Sequence, residues 1–259
     1  MNFSVSFYDV EFFLLILTRV ATFVFIAPFF GMNNVPRRVK IGLSVFIAIL
    51  LYYSVAKDFS FVSDSVWGYG FCVVKEAIAG LLIGFGANMC TSIVNFAGSV
   101  ADMETGLSMV SLIDPATQQQ TSITGVLYQY AFMLMLVATG MYRYLLGALA
   151  DSFKLIPVGK VMVNASLLSE SVIKFLADYI LIGFRIILPI FCIMLLLNCV
   201  LGILAKVSPQ LNMFAVGLQL KVLIGLGVLF ITVGLLSNAS ELIFDEMKQI
   251  INSFAKALI

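Results

Sequence analysis

The sequence has no histidine, and only 11% of its 259 residues are charged. The first absence excludes His-based acid–base chemistry, Ser-His-Asp and Cys-His arrangements, and the zinc ligand sets that contain His. The second excludes an ordinary soluble domain, in which about a quarter of the residues carry charge. An excess of one sign is also lacking: at a net charge of +1, nothing points to nucleic acid as a partner. The four cysteines, Cys72, Cys90, Cys192 and Cys199, each lie in an apolar run and none forms a C-x-x-C pair, so they read as small hydrophobes. There is neither a phosphate-binding G-x-x-x-x-G-K-[ST] nor a dinucleotide fingerprint, so no cofactor and no enzymatic activity are expected. No basic residue precedes Arg19, so a cleaved secretory leader is not expected. Asp9 and Glu11 place the N-terminus away from the cytoplasm.

What the sequence does have is apolar length. Hydrophobic residues make up 61% of it, with a mean hydropathy of +1.08, and a bilayer is the natural solvent for such a chain. A spanning helix needs about 20 mainly apolar residues. Candidate segments are 10–30, 41–56, 77–101, 123–150, 172–205 and 214–240. No alternating pattern competes with them, so an all-α, multi-pass membrane fold is expected. The charges between segments orient the spans poorly. Arg37, Arg38 and Lys40 mark one loop as cytoplasmic, but the next cytoplasmic loop, 102–122, has no Lys or Arg. The outside loop 151–171 carries Lys154 and Lys160. Such a conflict points to hairpins buried in protein rather than independent spans. At the C-terminus, Ile243, Met247, Ile250, Phe254 and Leu258 recur at helical spacing between polar residues. An amphipathic helix over about 241–258 is therefore expected, lying on a membrane face or against a partner.

Three features are candidates for function. Gly80 and Gly84 form a G-x-x-x-G extended by Gly86 and Ala87, which allows close helix approach. Arg19, Lys75, Glu76, Arg143, Asp178, Arg185 and Lys221 are charges at membrane depth. They call for ion pairs or an interface position, with Glu76 the first candidate for a proton relay. Third, the stretch from Gly98 through Asp102, Gly106, Asp114 and Pro115 to Gln118, Gln119 and Gln120 interrupts the apolar pattern, which resumes at Ile123. Asp-Pro marks a turn, and three glutamines must face water or protein. The segment reads either as a soluble loop or as one lining or blocking an aqueous path. The methionines, Met103, Met109, Met133, Met135 and Met141 among them, read as core packing or as an adaptable seal.

Several stretches in order resemble the FliR family of flagellar biosynthesis proteins. Arg19, Pro28-Phe29-Phe30-Gly31 and Pro36-Arg37-Arg38-Val39-Lys40 match its opening pattern, and Gly98, Asp102, Gly106 and Asp114-Pro115 its central one. Ser152-Phe153 with Ile156-Pro157-Val158-Gly159, and then Leu201 to Phe214 with Lys206, Pro209, Gln210 and Asn212, match the remainder. At Gly140-Met141-Tyr142-Arg143 many members carry a His that is absent here, so no role proposed for that His transfers.

The resemblance implies a single membrane-embedded domain over 1–259, built of bent helical hairpins, like a FliP-type unit joined to a FliQ-type unit. It further implies assembly with FliP and FliQ, and with FlhA and FlhB, around a channel for unfolded flagellar proteins. The setting would be the bacterial inner membrane at the flagellar basal body. A plug falls on Gly106, Met109, Asp114, Pro115 and Gln118–Gln120, with energy supplied from outside this chain. The homologous subunit of a virulence injectisome shares this fold and role, and a stand-alone secondary transporter is the alternative from another class.

Overall fold

The computed structural model describes residues 7–32, 34–54, 66–109, 112–113, 120–208, 210 and 212–259; of Met109, Leu112, Ile113, Gln120, Thr121, Met213 and Phe214 it describes the backbone only. The fold is all-α. In chain order the helices are α1 (Phe7–Ile26), α2 (Arg37–Ser54), α3 (Val66–Thr105), α4 (Ile123–Ala138), α5 (Met141–Leu155), α6 (Ala165–Val207), α7 (Met213–Thr232) and α8 (Leu236–Lys256). Short 3₁₀ turns lie at Leu107–Met109 and Val233–Leu235. Between α3 and α4 a two-stranded antiparallel ribbon pairs β1 (Leu112–Ile113) with β2 (Gln120–Thr121), Leu112 opposite Thr121 and Ile113 opposite Gln120.

Among the described residues, three helical runs are long and apolar enough to cross a membrane: Val66–Thr105, Ala165–Val207 and Ala215–Lys256. A fourth is added if α4 and α5 together make one broken span. Six separate apolar segments are expected from hydropathy, and the difference has physical causes. α1 carries Asp9, Glu11 and Arg19, and α2 opens with Arg37, Arg38 and Lys40, which is too much charge for a free-standing span. The segment starting at Phe214 runs on through the 3₁₀ turn into α8, so two expected elements form one helical length.

Boundaries move as well: the segment expected over 10–30 stops at Ile26, and that over 172–205 opens at Ala165. Hydropathy ends the third segment at Ala101, but α3 continues to Thr105 and stops where Gly106 takes φ +80°, the left-handed position that commonly ends a helix. Asp102 is therefore helical. Lys75 and Glu76 lie inside α3 rather than at its end. Pro189 leaves α6 unbroken over 43 residues, about 64 Å at the usual helical rise and twice the hydrocarbon thickness.

The chain gathers into two compact units: residues 1–89, 140–176 and 245–259 in one, and 90–139 and 177–244 in the other. In the first, Leu15, Ile16, Val20 and Phe23 of α1, Ile83 and Ala87 of α3, and Leu145 and Leu149 of α5 are fully buried. The apolar face of α8 is covered there by the chain itself. Met247, Ile250 and Phe254 are buried, and a Cβ on Gly86 would lie 2.9 Å from the Phe254 ring. Beyond α8, the Leu258 and Ala257 carbonyls accept from the Met162 and Asn164 amides at 3.1 and 2.8 Å. In the second unit, Ile93, Val94, Phe132, Leu136, Ile190 and Met194 form the core.

Candidate functional site

The first unit holds a buried ion pair. Arg19 Nε donates to Glu76 Oε2 at 2.6 Å, and both side chains are 0% exposed. Arg19 Nη1 donates to the carbonyls of Ser152 and Ile156 at 3.3 and 3.1 Å. Both carbonyls lie at the C-terminal end of α5, that of Ser152 also accepting from the Ile156 amide at 2.9 Å, where the helix dipole favours a cation. The guanidinium lies 4.3 Å from the Phe153 ring centroid, a cation–π distance. Glu76 Oε1 accepts from the Gly159 amide at 2.8 Å, and Gly159 sits at φ +81°. One pair thus ties α1, α3, the end of α5 and the Ile156–Gly159 turn. This accounts for the Ser152-Phe153 and Ile156–Gly159 motifs, which surround it.

The Pro28–Gly31 motif makes the turn that leaves α1. Lys40, buried in the first turns of α2, donates to the Gly31 carbonyl at 2.9 Å. Phe29 holds φ +71°, unusual for a bulky residue, with its ring 5.3 Å from Phe30 and 6.2 Å from Tyr142. Gly80 and Gly84 face α1. A Cβ on Gly80 would stand 2.1 Å from the Arg19 carbonyl oxygen, and one on Gly84 3.1 Å from that of Phe23. The small-residue stripe therefore packs within the chain.

In the second unit, the segment after α3 is closed at its base. The Asp102 carboxylate accepts from the Thr124 amide at 3.2 and 3.3 Å and from the Thr124 hydroxyl. Ser122 caps α4 by accepting from the Gly125 amide at 2.8 Å. A carboxylate and a hydroxyl at a helix N-terminus answer its unpaired amides and positive dipole end. Below them the backbones nearly touch: a Cβ on Gly98 would lie 2.2 Å from Gly125 Cα. Thr105 is fully buried, and a Cβ on Gly225 would lie 2.5 Å from its methyl. From this base the chain leaves at Gly106, forms the β1–β2 ribbon and returns at Ser122.

Of the loop residues named from sequence, Gly106 is the helix stop, while Met109 and Gln120 are described in backbone only; Asp114, Pro115, Gln118 and Gln119 lie outside the described residues, as does Pro209. The α6–α7 turn exposes Lys206, Gln210 and Asn212, and Asn212 caps α7 by accepting from the Ala215 amide at 3.4 Å. Pro36 precedes α2, and Arg37 is exposed at its start. Among the other membrane-depth charges, Lys75, Arg143 and Arg185 are exposed, and Asp178 and Lys221 half-buried. Met133 and Met141 are core residues, whereas Met103 is exposed. Cys72 and Cys90 are buried and Cys192 and Cys199 exposed, and none of the four is in a disulfide. Among the described residues no cluster could hold a metal ion. Thr124, Ser122 and Gly125 were absent from the sequence-derived set. Ser122 directly before the apolar run from Ile123 is a helix-start signal that would have found the cap.

Residues 10–247 match the family of bacterial export proteins, family 1, and the chain belongs to that family. Its relatives include the flagellar biosynthetic protein FliR of Bacillus subtilis, 30% identical over 92% of this chain and 94% of the relative. FliR of Escherichia coli is 27% identical over 89% and 87%, and FliR of Caulobacter vibrioides 22% identical over 98% and 100%. The resemblance to FliR carried by the ordered motifs is borne out.

Proposed function

We propose that this chain is the FliR-type subunit of a flagellar type III protein export gate, acting over 1–259 as one export-gate domain. It joins FliP and FliQ, with FlhA and FlhB nearby, in the bacterial inner membrane at the flagellar basal body. Its bent hairpins correspond to a FliP-type unit joined to a FliQ-type unit, and the channel they help form carries unfolded flagellar proteins. The 106–122 segment is the plug, and energy for opening comes from outside the chain.

The observation that carries the plug reading is the Asp102–Thr124 closure. It fixes both ends of a polar excursion on buried backbone, so the excursion can shift without unpacking α3 or α4. Assembly is supported by exposure. Only 22% of the most apolar stretch of α6, and 28% of that of α7–α8, is buried within the chain, leaving large apolar faces for neighbouring subunits or lipid. Gly80 and Gly84, packed on α1, hold the scaffold rather than line the channel.

Affinity purification of the full chain from its own membranes tests this reading. Recovery of FliP and FliQ with it is expected. A monomer or homodimer that transports a small solute by itself would favour the transporter alternative.

A further inference from the structure

The α6–α7 hairpin carries a second feature. A Cβ on Gly217 would lie 3.4 Å from Leu201, and one on Gly225 3.1 Å from Met194, so the two helices run antiparallel. Further along, they enclose a cavity of about 170 Å³ lined by Arg185 and Pro189 of α6, Tyr128 of α4, and Thr232, Leu235 and Asn238. Both helices change character at this level. α6 carries Lys174, Asp178 and Arg185 before the cavity and no charge from Ile186 to Ala205. α7 is uncharged after Lys221, and the chain turns polar at Ser237-Asn238 in the first turn of α8. Apolar length on one side and polar side chains on the other mark the border of the hydrocarbon, where headgroups lie.

Arg185 is exposed at this border and, among the described residues, pairs with no carboxylate. A guanidinium in such a setting is satisfied by an anion that presents several acceptor oxygens. The Asn238 amide supplies further donors. Leu188, Ile231 and Leu235 are exposed on the same part of the hairpin and offer an apolar surface to acyl chains. We infer that this cavity binds the headgroup of an anionic phospholipid, with Arg185 on the phosphate.

The test uses the full chain purified in mild detergent with whatever subunits accompany it. It is equilibrated with equal amounts of phosphatidylglycerol and phosphatidylcholine, and bound lipid is counted by native mass spectrometry. The wild type is expected to retain phosphatidylglycerol about fivefold over phosphatidylcholine, the preference one cation confers at an anionic surface. Arg185→Gln should bring the ratio to about one, and Arg185→Lys, which keeps the charge but loses the planar fork, should fall between the two. If Arg185→Gln does not accumulate, a photoactivatable phosphatidylglycerol on the wild type decides, with adducts expected on 185–189 and 232–242. Equal retention of the two lipids by the wild type, an unchanged ratio in Arg185→Gln, or a photocross-linker at position 235 capturing another polypeptide in place of lipid would each overturn the site.

Discussion

Arg19 and Glu76 are separated by 57 positions in sequence, yet their side chains meet at 2.6 Å in a site closed to solvent. Each has further partners: two α5 carbonyls for the arginine and the Gly159 amide for the glutamate. Removing one member leaves the other buried and uncompensated, a loss of roughly 3–5 kcal/mol in comparable pairs. Arg19→Met and Glu76→Leu should each sharply lower the melting temperature and membrane accumulation. The double variant should be more stable than the sum of the two losses predicts, because no lone charge remains. Thermal denaturation in detergent reads this, and strictly additive losses would mean that the pair is not the unit.

The same pair bears on proton handling. A carboxylate held by a guanidinium and a backbone amide favours a structural role over a relay. Glu76→Gln keeps the acceptor for Gly159 and loses the charge, so it should lower stability while export per assembled gate stays within about twofold. Export measured against gate abundance separates the two roles; loss of export at normal abundance would restore Glu76 as a proton carrier.

The closure at Asp102 leads to a graded prediction. Asp102→Ala strands the Thr124 amide in a buried site and should cost about 1–3 kcal/mol. Asp102→Asn keeps an acceptor and should cost less. Under the plug reading both should raise resting solute leak in that order, without preventing assembly. Melting temperature and dye entry, measured on the same preparations, check the ranking.

Glycine positions divide by what surrounds them. Gly98→Ala puts a Cβ against the Gly125 backbone, and Gly80→Ala puts one against the Arg19 carbonyl. Neither backbone can yield cheaply, so a loss of about 1–3 kcal/mol is expected for each. Gly42 in α2 has nothing within 4 Å, and Gly42→Ala should be neutral or stabilising by up to about 1 kcal/mol. Yields of the purified chain should follow that order.

The helical fold and the ordered motifs were legible in the sequence because both are local. Apolar length announces α3, α6 and α7, but the segment expected over 10–30 stops at Ile26, ahead of the Pro28–Gly31 turn. What could not be read was how distant pieces meet. No periodicity reveals that Arg19 reaches Glu76, or that Ser152 and Gly159 complete the pair with backbone atoms, which a side-chain motif search does not register. The end of α3 was misplaced because the polar residues Asp102 and Glu104 look like a loop beside an apolar run, while the actual stop is the left-handed Gly106. The amphipathic stripe of α8 was visible, but the sequence could not say that its cover is the chain's own α3 and core rather than a membrane or partner.

The central claim is that the 106–122 excursion, anchored by Asp102 on Thr124, closes a channel at rest. Deleting Leu107–Thr121 keeps Gly106 and the Ser122 cap, so both anchors survive. The most direct measurement is small-solute permeability of cells carrying the deletion, alongside the yield of the assembled gate. Raised permeability at normal gate yield is the predicted result. Unchanged permeability at the same yield would contradict it.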